Sequence, residues 1–352
     1  MSKAITRKRF LASSTHWVAG ATAFLSLRGL TACSENQEET STSADSSGEQ
    51  VPKRAITRIK MTTIGATDLT PVEDWYTNWL GYSVAERGEI SEAVAGSWGT
   101  PNMAGRPYIL MQPESGADVF IRAALIDGVA DYSAMTTFGW NSFEIIVDDV
   151  YALNERLKDS PFDIIGPARS LGGNIASIHA MQVIGPMQEV LYLACETGDR
   201  ETSRLPIPES FVDRVFIVIL AGPDADAIRE FYVSKLAMEP AGEFDIPIAN
   251  IARAQNLPED HVFQLKMVIA TERGNSIEID GYPGSAGPRA RATGQLPPGN
   301  AMVSFSANNL DQFDIDFIAP PVQETSLAYS GNRSASFIGP AGEITEIIEQ
   351  LG

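Results

Sequence analysis

The apolar positions of this chain change their period along its length, and the change recurs. Ile56 to Ile64 reads as a strand. Over 70–81 the spacing becomes helical: Val72, Trp75, Tyr76, Trp79 and Leu80 share one face, Pro71 lies in the first turn and Gly81 ends the run. The same order returns later, with Val212 to Leu220 as a strand and Ile228, Phe231, Tyr232 and Leu236 on a helix face. Residues 56–82 and 212–238 align without a gap, placing Arg58 on Arg214, Asp68 on Asp224, Tyr76 on Tyr232 and Leu80 on Leu236. A second pair aligns downstream, where Ile184-Gly185-Pro186 and Glu189 match Ile338-Gly339-Pro340 and Glu343.

Two further unit openings follow the same order. One is Phe143-Glu144-Ile145-Ile146-Val147-Asp148-Asp149-Val150, with Leu153 and Leu157 on the helix after it; the other is Val303 to Leu310. The chain thus predicts four units of strand, helix and about three strands, at roughly 54–125, 138–196, 209–283 and 298–350. Residues 197–208 form the linker between a first domain at 54–198 and a second at 209–352. A short unit with an apolar sheet face is not stable alone, so the units are expected to pair.

The first residues read as an address. Lys3, Arg7, Lys8 and Arg9 precede a mostly apolar or small run from Leu11 to Leu27, and Leu30-Thr31-Ala32-Cys33 resembles a lipobox. Residues 1–32 are then a signal peptide, Cys33 is the lipidation site, and 33–53 form a polar, acidic tether too poor in apolar residues to fold. The implied place is the bacterial cell envelope, lipid-anchored on the periplasmic or outer-surface side. Thr6-Arg7-Lys8-Arg9-Phe10-Leu11 resembles a twin-arginine export motif with lysine at one arginine position. The net charge of −19 argues against nucleic acid as a partner, since phosphate binding needs a basic face. With Cys33 acylated, Cys195 has no second thiol to pair with, and it sits in Val190 to Cys195, a strand that reads as buried.

Four βαβββ units in two pairs resemble the vicinal oxygen chelate superfamily, which contains glyoxalase I, the bleomycin and fosfomycin resistance proteins and the extradiol dioxygenases. The turns at Val147-Asp148-Asp149-Val150 and Asn308-Asn309-Leu310 carry the likeness, as do the closing hairpins Gly185 to Leu193 and Gly339 to Ile347. The resemblance implies an α+β fold of two barrels, each curled round one site. It also implies a divalent metal held by His, Gln or Glu from first and last strands. Carried onto this sequence, the first-strand positions are Arg58, Ser142, Arg214 and Met302. The last-strand positions are Phe120 or Arg122, Tyr192, Glu278 and Glu346. No histidine falls on them and arginine does not ligate metals, so no cofactor is expected, with a divalent metal as the alternative.

The candidate chemistry is therefore metal-free. Arg58 and Arg214 read either as guanidinium forks for an anionic oxygen or as halves of internal ion pairs, with Glu278 and Glu346 as the available acids. His179, in the alternating strand Ile178 to Val183, reads as a general base or as a half-buried structural residue, and Tyr192 as its proton-moving partner or as packing. Arg58, Ser142, Trp98, Arg214, Glu278 and Glu346 are the candidate substrate contacts, with Trp98 on a loop that covers a barrel mouth. The expectation is an envelope protein that binds a small organic ligand, with scope for isomerase- or lyase-type activity on an oxygenated or aromatic compound. A metal-dependent glyoxalase- or dioxygenase-like enzyme and a non-catalytic scaffold are the alternatives.

Overall fold

The structure is a computed structural model and describes residues 56–350. The signal peptide, Cys33 and the tether lie outside the described residues. Unit one comprises β1 (Ile56–Ala66), α1 (Leu69–Trp75) continued by a π-helical turn at Tyr76–Leu80, β2 (Ser83–Glu89), α2 (Glu92–Ser97), β3 (Pro107–Gln112) and β4 (Phe120–Leu125). Unit two has β5 (Gly139–Val147), α3 (Val150–Leu157), β6 (Asp163–Ser170), β7 (Ile178–Ile184) and β8 (Val190–Glu196). Unit three repeats unit one, with β9 (Val212–Gly222), α4 (Ala225–Leu236), β10 (Glu239–Pro247), α5 (Ala249–Ala254), β11 (Val262–Ile269) and β12 (Ser276–Gly281). Unit four has β13 (Gly299–Ala307), a 3₁₀ turn at Leu310–Gln312, β14 (Val322–Gln323), β15 (Arg333–Ile338) and β16 (Ile344–Glu349).

The expected α+β fold of four units is present, with one difference. Unit four carries a 3₁₀ turn and an extended segment where a helix was expected. Phe313, Ile315 and Phe317 alternate with acids at a period of two, which suits an extended chain, and these three side chains pack on the core where a helix would lie. The remaining repeat positions are explained by local structure. Asp68, Asp149 and Asp224 cap α1, α3 and α4, each side chain accepting from backbone N–H groups of the first turn, and Asn309 caps the 3₁₀ turn in the same way.

Strand pairing crosses the division of the chain into halves. One eight-stranded sheet runs β14-β15-β16-β13-β1-β4-β3-β2 and joins unit four to unit one. The other runs β10-β11-β12-β9-β5-β8-β7-β6 and joins unit three to unit two. In each sheet the first strands pair antiparallel at the centre, β1 on β13 and β5 on β9. Both sheets curl into half-barrels. A single core joins their outer faces with α1, α3 and α4, and two further cores fill the concave faces.

Consecutive units are joined by a different device, which accounts for the second repeated motif. The Tyr76 hydroxyl of unit one donates to Glu189 of unit two at 3.1 Å, and the Tyr232 hydroxyl of unit three donates to Glu343 of unit four at 2.9 Å. Each glutamate also accepts a backbone N–H of its own hairpin, from Met187 and Ala341 at 2.8 Å. The carboxyl folds so closely over the hairpin glycine that a Cβ at Gly185 or Gly339 would meet it at 2.1 or 1.9 Å. A side chain at either glycine would therefore push the carboxyl from its place.

Candidate functional site

Parallel pairing of first and last strands sets four side chains at the centre of each concave face. In the face shared by units one and four, Thr63 stands beside Arg122 and Ser304 beside Glu346. In the face shared by units two and three, Ile219 stands beside Glu278 and Glu144 beside Tyr192. The last-strand positions therefore fall on Arg122, Tyr192, Glu278 and Glu346, as the sequence indicated. The first-strand positions do not. Ser142 and Met302 lie one inward step short of Glu144 and Ser304. Arg58 and Arg214 lie near the starts of the 11-residue strands β1 and β9. A period of two leaves every second residue equally eligible for the site, and register shifts within β1 and β5 spoil simple counting.

Arg58 and Arg214 form ion pairs at the strand ends, outside both concave centres. Arg58 pairs with Asp118, which also holds buried Lys60, and donates to Gln350 at 3.1 Å. Arg214 donates to buried Asp213 at 2.7 Å. Neither is paired with Glu278 or Glu346 in the way the sequence suggested. His179 is placed away from the sites as well, with its Nδ1 2.7 Å from the hydroxyl of Tyr151, an exposed tyrosine of α3. Arg58 belongs to one sheet and His179, Tyr192 and Ser142 to the other, so the proposed Arg58–His179–Tyr192 grouping is not assembled.

The concave face of units one and four holds a continuous polar network. Arg122, 2% exposed, donates through Nε and Nη2 to Thr63 Oγ1 at 3.1 and 2.9 Å and through Nη1 to the Tyr329 hydroxyl at 3.0 Å. Glu346 is fully buried and accepts from Tyr329 at 3.0 Å, the Trp98 indole N–H at 2.9 Å and Ser304 at 2.6 Å. The Trp98 ring lies 4.4 Å from the Arg122 guanidinium carbon. Trp98 ends α2, a helix inserted between β2 and β3 that fills this face with Val94, Ala95 and Trp98. Its predicted position over a barrel mouth becomes a fully buried plug. Beside Arg122 a cavity of about 80 Å³ remains, walled by Met61, Ile90 and Leu110 and edged by Glu86, Tyr108, Glu324 and Tyr329. Tyr108 donates to Glu86, and burial with that carboxylate pushes its hydroxyl up to about 12.

The concave face of units two and three is packed instead. Helix α5, inserted in unit three as α2 is in unit one, fills it with Ile251 and Ala252, and Asn250 donates to Gln182. About 10 Å³ is left beside Tyr192, Gln182 and Arg169. Glu144, Glu278 and Asp280 are all buried here. Burial raises Glu144 to about 8 and raises Asp280 as well, and neither oxygen of Glu144 has a hydrogen-bond partner. Burial foremost, then Glu278, Asp280 and Glu144, lifts Tyr192 well above its ordinary range. Arg122 was legible only as an alternative register, and Glu144, Thr63, Ser304 and Tyr329 were missed. The available signal was a lone Glu144 among apolar residues of β5.

Neither centre presents the full set of His, Gln or Glu side chains that the resemblance implies for a divalent metal. In units one and four a guanidinium, permanently protonated, stands among the four central side chains and Glu346 is already saturated with donors. In units two and three the fourth side chain is Ile219. Among the described residues no group of three or more His, Cys, Asp or Glu could hold a metal ion.

No family model matches the sequence and no curated protein matches it. Solved structures do match the fold. Glyoxalase I from Zea mays shares 16% identity over 83% of this chain and 92% of its own, with a TM-score of 0.55. A candidate dioxygenase from Bacillus subtilis subsp. subtilis str. 168 shares 13% identity over 84% of this chain and 86% of its own, with a TM-score of 0.57. The paired βαβββ architecture of this chain is the vicinal oxygen chelate fold.

Proposed function

We propose that the concave face shared by units one and four binds a small organic molecule without a metal, with Arg122 as its resident cation. The carrying observation is the cavity beside Arg122, set against the packed face of units two and three. A buried guanidinium is a strong receptor for an anionic oxygen, because charge-assisted hydrogen bonds gain strength where water is excluded. The lining favours binding over acid–base catalysis. Tyr108 and Tyr329 are both held protonated far above neutral pH, and a general acid or base works best with its pKa near the working pH.

The test is ligand retention. Purified mature protein is mixed with a metabolite extract, separated from free solutes, and the retained compounds are identified by mass spectrometry. The wild type is expected to retain at least one compound that Arg122→Gln releases, with both proteins checked for cooperative unfolding. Equal retention by both, or none by either, sinks the reading.

We also propose that Cys33 is lipidated and tethers the folded part to a membrane, on the strength of Leu30-Thr31-Ala32-Cys33 after its basic and apolar segments. Globomycin should make producing cells accumulate the precursor, and unchanged processing would refute the anchor.

A further inference from the structure

The cavity of units one and four has two chemically opposite ends. We propose that its ligand is a short two-ended molecule, with an acidic oxygen at one end and a primary ammonium at the other. This rests on the reading of that cavity as a small-molecule site.

The inner end is cationic. A guanidinium carries five N–H donors, and Thr63 and Tyr329 take three of those on Arg122, which leaves one hydrogen on each Nη. The N–H groups of a rigid guanidinium plane suit a carboxylate or another acidic oxygen. The outer end is anionic. Glu86, Glu89 and Glu324 all line it, against the single positive charge of Arg122 in the same lining. Two of these carboxylates are fixed in place. Glu86 accepts from the Tyr108 hydroxyl and from the Leu327 backbone at 2.7 Å. Glu324 accepts from Ser91 at 2.8 Å and from the backbone N–H of Thr325 and Ser326 at 2.7 and 3.1 Å. Despite the opposing effect of burial, these donors hold Glu324 below the ordinary carboxylate range.

A simple anion would satisfy Arg122 but would meet the carboxylates at the edge. A simple cation would be drawn to the edge and would give Arg122 nothing. An ammonium linked to an acidic oxygen answers both ends. Met61, Ile90 and Leu110 line the same cavity and call for a short apolar linker.

Titration of the mature protein with 4-aminobutanoate, butanoate and butylamine tests this, read by calorimetry and by the fluorescence of Trp98 stacked on Arg122. 4-Aminobutanoate is expected to bind about tenfold or more tighter than either one-ended compound, the equivalent of one well-placed charge contact. Glu324→Gln, a change at the cavity edge, should weaken 4-aminobutanoate and leave butanoate unchanged. Arg122→Gln should weaken both acids and leave butylamine unchanged. Butanoate or butylamine binding as tightly as 4-aminobutanoate would overturn the two-ended class, as would absence of saturable binding by aminocarboxylates from three to six carbons. Butanoate binding as tightly as 4-aminobutanoate and lost in Arg122→Gln would overturn the class while sparing the small-molecule reading.

Discussion

Glu144 illustrates how a single residue couples the fold to pH. Its carboxyl is wholly buried, no donor reaches it among the described residues, and it stays protonated up to about pH 8. The native state therefore holds a proton that the unfolded chain releases near pH 4.3. Between those values the native state binds more protons, so stability falls as pH rises, by about 1.4 kcal/mol per pH unit for each such group. Glu189 and Glu343, raised to about 7 mainly by burial, act in the same direction over a shorter window. Glu144→Gln removes the titration while keeping the shape. Urea denaturation should show the variant's advantage over wild type growing by about 4 kcal/mol from pH 5 to pH 8.5. An equal difference at both pH values would count against a protonated Glu144.

Among the elements, the inserted helices decide which face can hold a ligand. Both α2 and α5 plug a concave face, yet α2 ends in Trp98 and leaves space beside Arg122, whereas α5 brings Ile251 and Ala252 and leaves almost none. The Tyr76–Glu189 and Tyr232–Glu343 contacts act at the same scale, tying a helix of one unit to the hairpin of the next. Tyr76→Phe and Tyr232→Phe each leave a buried carboxyl short of a donor and should cost about 1–3 kcal/mol. The two sites share no partners, so the double variant should lose close to the sum, as denaturant midpoints would show. A marked shortfall would mean that the two latches act on one another.

For the whole molecule, the crossed pairing predicts how the chain comes apart. Residues 56–196 contribute half of each eight-stranded sheet, and 212–349 contribute the other half. A protease site placed within 197–208 should therefore give two fragments that co-elute on gel filtration. Residues 54–198 expressed alone should lack a cooperative unfolding transition, because they would expose the central edges of β1 and β5 and the apolar faces around them. Fragments that separate and stay folded would show that consecutive units suffice. The same pairing explains why the repeat is strongest between units one and three, which occupy equivalent places in the two sheets.

Much of the fold was legible in the sequence. The period changes located the units and the repeat announced the duplication. The last-strand residues Arg122, Tyr192, Glu278 and Glu346 were within reach. The first-strand members of the sites were not, since alternation assigns a residue to a face but does not choose among every second position. Nor does it say which face is wet. On a half-exposed sheet, Glu144, Ser304 and Glu346 would read as solvent positions, and here the curl of the sheets with α2 and α5 buries them. The sequence alone determined the units and the acidity of the chain, because those are local or additive properties. Only the tertiary structure decided which units share a sheet, which arginine is buried and which concave face keeps a cavity. Those depend on contacts between residues as far apart as Arg122 and Tyr329, whose meeting no local pattern records.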